Sequence, residues 1–298
     1  MSSQLFSPFT MRGMTIDNRT IVSPMCEYSA VDGSATDWHL MHLGQFATSG
    51  IGLVITEAAA VEPRGRITPQ CLGIWSDDNE EALGRVMHFC REYGQAKMGI
   101  QLAHAGRKAS THRPWDGRDP LKEGAGAWET ISSSANPQGE GWHTPRSMDR
   151  AEMSVVRDAF VAATKRSDRL GFGMIEVHGA HGYLLHEFLS PIANTRNDEY
   201  GGPIDNRMRY PLEVFAAMRE VWPEEKPMGI RVSATDWEDH GWMPEDSVVF
   251  AGKLKELGCD YICASSGGIS GNTRLELGEG YQVDFAEKIR KEADIPTM

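Results

Sequence analysis

Two histidines and a tyrosine determine the chemistry open to this chain of 298 residues. His178 and His181 flank Gly179-Ala180, and Tyr183 follows after Gly182. Two ring N–H groups held together can donate to one electron-rich atom and stabilise negative charge as it develops there. A phenol, with a reference pKa of about 10, keeps its proton at neutral pH and can deliver it to a neighbouring atom. The same spacing also suits structural histidines, or a metal site with His186 as a third ligand. Against the metal, Glu187 is not followed by the second histidine of a zincin pattern, and none is expected.

The elements around these residues must hold them at an open edge. Residues 174–177 form an apolar run that reads as a short buried strand, 179–182 as a tight turn, and 183–189 as the first turns of a helix. Side chains in such a strand-to-helix turn stand at the mouth of a parallel sheet, where ligands bind. Further strands are predicted at 20–25, 52–56 (running on into 57–61), 98–102, 228–233 and 261–265, with 295–298 approaching a seventh. Helical spacing appears at 37–49, 77–93, 147–170, 206–221, 244–257 and 283–293, with Pro211 better suited to a first turn than to an interior.

Strands alternating with helices imply a parallel sheet, either doubly wound or closed as a barrel. No Gly-x-Gly-x-x-Gly follows an early strand, which weakens the dinucleotide-binding fold. Cys26, Glu57, Gln101, His178, Arg231 and Ser265 all fall at predicted C-terminal strand ends. A barrel gathers those ends at one mouth, whereas an open sheet spreads them out. The expected fold is therefore an α/β chain of the (β/α)8 TIM-barrel type, one domain over 1–298, ending at about strand 7. Residues 106–147, rich in Gly, Pro, Ser and Trp, read as a lid excursion after strand 3. Arg107-Lys108 at its start has two readings, a solvated loop pair or a phosphate contact.

The balance of 42 acidic against 30 basic residues, a net charge of −12, argues against a nucleic-acid surface. No apolar run reaches membrane-spanning length. Five scattered cysteines do not make a disulfide framework or an iron–sulfur ligand set. A reducing, cytoplasmic setting is expected, with a homo-oligomer as one possible state.

Four stretches together carry a resemblance: Ser23-Pro24-Met25-Cys26-Glu27-Tyr28, Gly99-Ile100-Gln101-Leu102-Ala103-His104-Ala105-Gly106-Arg107-Lys108, the block from His178 to Tyr183, and Asn194-Thr195-Arg196-Asn197-Asp198-Glu199-Tyr200-Gly201-Gly202. In this order they resemble the old yellow enzyme family, in particular its bacterial branch of cysteine-containing ene-reductases and xenobiotic reductases. The resemblance implies an FMN-containing barrel in which NADPH or NADH reduces the flavin and a small activated alkene takes the electrons, in ping-pong fashion. It implies that His178 and His181 hold the substrate oxygen, that Tyr183 is the proton donor and that Tyr28 lines the substrate pocket. Ser23, Pro24, Met25, Cys26, Ala58, Gln101 and Arg231 would contact FMN, with Cys26 also tuning the reaction. The family grips the flavin phosphate after strands 7 and 8, so the alternatives are an inactive fragment, a partner-completed module or, using the histidines differently, a metal-dependent barrel hydrolase.

Overall fold

A strand covered on both faces must be apolar throughout or have its polar groups partnered. Leu53–Ala60 and Met174–Gly179 meet that requirement, being buried at every position. In the computed structural model, which describes residues 3–271, 273–275 and 277–298, they belong to one curled parallel sheet. Its strands are β1 (Ile21–Val22), β2 (Leu53–Ala60), β3 (Lys97–Ala103), β4 (Met174–Gly179), β5 (Met228–Ser233) and β6 (Ile262–Ser265), adjacent in chain order. The chain end continues the sheet. Ile262 N–H donates to Pro296 O (3.0 Å) and Met298 N–H to Ile262 O (2.9 Å), as a parallel neighbour of β6 does.

Helices α1 (Asp37–Ala47), α2 (Asp77–Tyr93), α3 (Arg150–Arg169), α4 (Leu184–Leu189), α5 (Ile204–Val221), α6 (Pro244–Glu256) and α7 (Val283–Glu292) fill the connections. Their starts are written in the sequence. Ser76 Oγ accepts from Asn79 N–H at the head of α2, and Asp149 accepts from Glu152 N–H at the head of α3. One expectation needs correction. The first strand keeps only Ile21–Val22 in the ladder, because Ser23, Pro24 and Met25 run on extended and unpaired toward the mouth. Pro211 lies inside α5, within the stretch expected to be helical in spite of it. Burial of Tyr210, Val214, Phe215 and Met218 on the same helix outweighs a penalty of about 3 kcal/mol for an interior proline.

The sheet separates two apolar regions. Ile100, Leu102, Ile175, Val177, Ile230 and Val232 point outward into the main core beneath the helices. Leu53, Ile55 and Met174 point inward, and with Ile16 and Tyr261 they form a second cluster. An antiparallel hairpin, Phe9–Met11 with Met14–Ile16, packs against that inner cluster and closes the end of the sheet opposite the histidines. Sequence periodicity gave no sign of it, since each arm is three residues long.

Residues 106–147 are strapped down without regular periodicity. Ile131–Ser132 pairs with Arg146–Ser147, Thr111 bridges Pro120, and Trp128 Nε1–H donates to Arg64 O (3.0 Å). Among the described residues no helix is long and apolar enough to cross a membrane.

The inner face has room for Tyr261 only because β5 carries Gly229, where an added Cβ would collide with the Tyr261 ring. Gly229→Val should therefore lower unfolding free energy by about 1–3 kcal/mol in urea titrations. Gly252→Ala in α6, where a Cβ meets nothing within 4 Å, should raise it by about 0.5–1 kcal/mol. Equal effects of the two changes would contradict this packing.

Candidate active site

Register places the functional side chains. Along the inner face Ala58 pairs with Gln101, Gln101 with Glu176, and Glu176 with Gly229. Two residues further on, hence on the same face, His178 pairs with Arg231 and Arg231 with Cys263. Glu176 is fully buried. Burial pushes its carboxyl up, while Arg231 and hydrogen bonds from Gln101 (2.7 Å) and Tyr261 (3.4 Å) hold it toward the charged form. Arg231 Nε is buried and has no hydrogen-bond partner among the described residues. Ser23, Pro24, Glu176 and Arg231 line one concave cavity of about 790 Å³.

Above this row stand the histidines. His178 Nδ1 accepts from Ala180 N–H (3.3 Å), which leaves the ring proton on Nε2. Its ring lies 5.2 Å from His181 and 4.9 Å from Tyr183, edge to face in both cases. Burial, followed by the charges of His181, Arg231, Lys108 and His186, pulls His178 well below the usual imidazole range. Burial and the neighbouring cations bring His181 down to about 3. Burial drives the Tyr183 phenol well up. At neutral pH the trio is thus two neutral imidazoles and a protonated phenol, all able to donate.

The turn that carries them is held from every side. His181 adopts a left-handed backbone (φ 59°), sparsely populated for a residue with a Cβ. Its N–H donates to Ser233 Oγ (2.9 Å), its carbonyl accepts from Lys108 Nζ (2.8 Å), and its Nε2 meets Ser265 Oγ (2.7 Å). Gly182 N–H donates to His186 Nδ1 (2.9 Å), so His186 Nε2–H faces Asp236 Oδ1 (2.9 Å). Asp236 is held below the usual carboxylate range: burial opposes this, but His186, Ser190 and Trp242 N–H outweigh it. With Nδ1 accepting from Gly182 and Nε2 turned to the Asp236 carboxylate, His186 points away from the position of a third metal ligand beside His178 and His181.

Sequence reasoning left Arg107 and Lys108 open. The Arg107 side chain is buried and donates to Asn136 O (3.0 Å), Pro137 O (3.3 Å) and Ile269 O (2.6 Å), tying the excursion to the loop after β6. Lys108 Nζ bridges His181 O and Gly268 O and lies 5.1 Å from the centre of the Tyr183 ring. Burial lowers it to about 8. Neither contact has a signature in sequence, because both partners are backbone carbonyls far along the chain.

Cys26 and Tyr28 reach the same region from the extended segment after β1. Burial and the Glu57 carboxylate raise Cys26, so it is a thiol. The Tyr28 ring meets Trp115 of the excursion edge to face at 5.5 Å. Tyr28 and Tyr183 line a cavity of about 270 Å³ roofed by excursion residues. Met25 is largely exposed.

Glu57 departs from the expectation that it faces the mouth. The β2 register shifts between Ile55 and Ala58, turning Glu57 toward α1, where its Oε1 meets His39 Nε2 at 3.0 Å. Glu27, His39 and Glu57 bring ligand-type atoms within 4.8 Å of one another. His39 Nδ1, however, accepts from Thr36 N–H (2.9 Å), so its Nε2 carries a proton and donates to Glu57. The cluster is hydrogen-bonded as it stands, and a metal at Nε2 would require a ring without protons.

Comparison with known proteins gives a consistent family. The model of the "NADH:flavin oxidoreductase / NADH oxidase family" matches residues 4–297. The chain is 44% identical to the NADPH dehydrogenase of Geobacillus sp. (strain WCH70), covering 100% of this chain and 82% of that protein. It is 42% identical to the NADPH dehydrogenase of Bacillus subtilis (strain 168), covering 100% of this chain and 83% of that one. The structure of morphinone reductase in complex with tetrahydroNAD superposes with a TM-score of 0.79 at 26% identity, over 99% of this chain and 80% of that chain.

The electrostatics of the histidine pair can be read directly. Nitrogen NMR shifts of His178 and His181 should stay those of neutral imidazole down to about pH 5, because both pKa values lie below the usual value of about 6.5. Titration of either ring near its ordinary value would contradict the burial and the cationic surroundings described here.

Proposed function

The chain belongs to the NADH:flavin oxidoreductase / NADH oxidase family, and we propose that it is an FMN-dependent NADPH dehydrogenase that reduces carbon–carbon double bonds conjugated to a carbonyl or nitro group. The observation that carries this reading is a neutral, Nε2-protonated His178 beside a protonated Tyr183, 4.9 Å apart at the mouth of the sheet.

The residues present fit a flavin. Arg231 Nε is a buried donor without a hydrogen-bond partner among the described residues, aligned with His178 and bordering the concave cavity that Ser23 and Pro24 also line. A guanidinium there favours negative charge on the group it contacts. Gln101 offers a donor and an acceptor to a hydrogen-bonding ring edge, and Ala58, next to it in register, leaves space. Ser23, Pro24, Met25, Cys26, Ala58, Gln101 and Arg231 would hold FMN. When bound, FMN takes hydride from NADPH and gives hydride to the alkene β-carbon.

The other roles fall to this chain's own side chains. His178 Nε2–H donates to the substrate's carbonyl or nitro oxygen and stabilises the charge that builds there; loss of one such donor typically costs about 2.7–4 kcal/mol of barrier. An arriving oxygen takes the place of the Ser265 hydroxyl at His181 Nε2, which then donates to it. Tyr183 delivers a proton to the α-carbon, and its raised pKa keeps that proton available through the neutral range. Cys26 acts as a neutral thiol, a weak hydrogen-bond partner and not a nucleophile. Tyr28 with Trp115 shapes the substrate wall, and the excursion of 106–147 serves as the lid that excludes water.

Tyr183→Phe separates the two half-reactions. In stopped-flow measurements alkene reduction should fall by about 100-fold or more, while flavin reduction by NADPH stays near wild type. Equal loss of both half-reactions would contradict the proton-donor role.

A further inference from the structure

The cavity over Tyr28 and Tyr183 has a charge of its own. Its wall carries Lys108 and Arg118, with Gln138 and Trp142 beside them, and no acidic side chain among the described lining residues. Arg118 forms no ion pair among the described residues, whereas its near neighbour Arg113 is taken by Asp116 (2.7 Å). The Arg118 guanidinium acts on both phenols, lowering Tyr28 and Tyr183 against the larger upward effect of burial. Lys108 lies 5.1 Å from the centre of the Tyr183 ring, its ammonium held by two carbonyl oxygens. Two cations on one wall, in a chain whose net charge is −12, form a local reversal of sign. An anion is repelled by the protein as a whole and attracted at this wall.

Resting on the proposed ene-reductase reading, we propose that Lys108 and Arg118 form an anion subsite of the substrate cavity, so that the preferred alkenes carry a carboxylate or similar acidic group beyond the activated double bond. Arg118 meets the acid at the lid, where its planar fork can take a carboxylate through two N–H groups. Lys108 adds charge from below without leaving its carbonyl partners, an ammonium having three donors. The alkene then lies between the phenols, with its oxygen toward His178 and His181 and its acid toward the excursion. A phosphate of NADPH is the other source of the same chemistry when the nucleotide occupies the site.

The test compares cinnamaldehyde with 4-carboxycinnamaldehyde on the flavin-loaded protein, wild type and Arg118→Gln. Arg118 is exposed on the excursion, so the change leaves the fold unburdened. The acid-to-neutral KM ratio should rise about two- to fivefold in the variant, as loss of a partly solvated charge pair gives. Calorimetric binding of the two aldehydes should show the same shift. NADPH and NADH binding, measured alongside, identifies the nucleotide phosphate as the source if the variant weakens NADPH alone. A variant that changes neither the aldehyde ratio nor the NADPH-to-NADH ratio overturns the subsite. Absence of turnover with cinnamaldehyde counts against the ene-reductase reading alone, because calorimetry still reads the subsite.

Discussion

In the parallel ladder Gln101 lies beside Glu176, and His178 beside Arg231 and Cys263. Every other functional group depends on that register. A slip of one residue would turn each of these side chains outward beneath the helices and bring Ile230 and Val177 to the mouth. The ladder is protected by what lies on either side of it. The outer face is covered by the helical core, and the closed end is filled by the hairpin around Phe9 and Ile16. Within the inner face Glu176 lies below and Arg231 above, so the cation faces the mouth over a carboxyl group whose burial-raised pKa it counteracts.

The mouth is built differently. It relies on loops, and loops must be held by specific bonds. His181 keeps its left-handed backbone because Ser233, Lys108 and the pair His186–Asp236 bond to it or to its neighbour Gly182. Gly182 and Gly268 lack side chains where the two loops touch, since a Cβ on either would strike the backbone of the other loop. Arg107 ties the excursion to the same region. The histidine turn and the excursion are thus tied into one hydrogen-bonded assembly against which the Tyr183 ring packs, and burial there lowers the imidazoles and raises the phenol.

Much of this was legible in the residues. The strands β2 to β6 and the helices α1 to α7 lie where apolar runs and helical spacing put them, and the placing of Gln101, His178 and Arg231 on one face follows from parallel order. The chain spans 82–83% of the length of the two NADPH dehydrogenases it matches. Other features left no trace. The Glu57 side chain was misjudged because a register shift reverses its direction, and strand alternation assumes no such shift. Lys108 and Arg107 were open because their partners are carbonyls of distant residues, and no residue type marks a carbonyl as a partner. The hairpin was too short for periodicity to detect.

The central claim is that the inner face, topped by Arg231, holds one flavin beneath His178 and Tyr183. Titration of the purified protein with FMN, followed by quenching of flavin fluorescence, tests it most directly. Saturation at one FMN per chain, with affinity clearly reduced in Arg231→Met of unchanged circular dichroism, is the result the account predicts. Absence of saturable binding, or binding indifferent to Arg231, would contradict it.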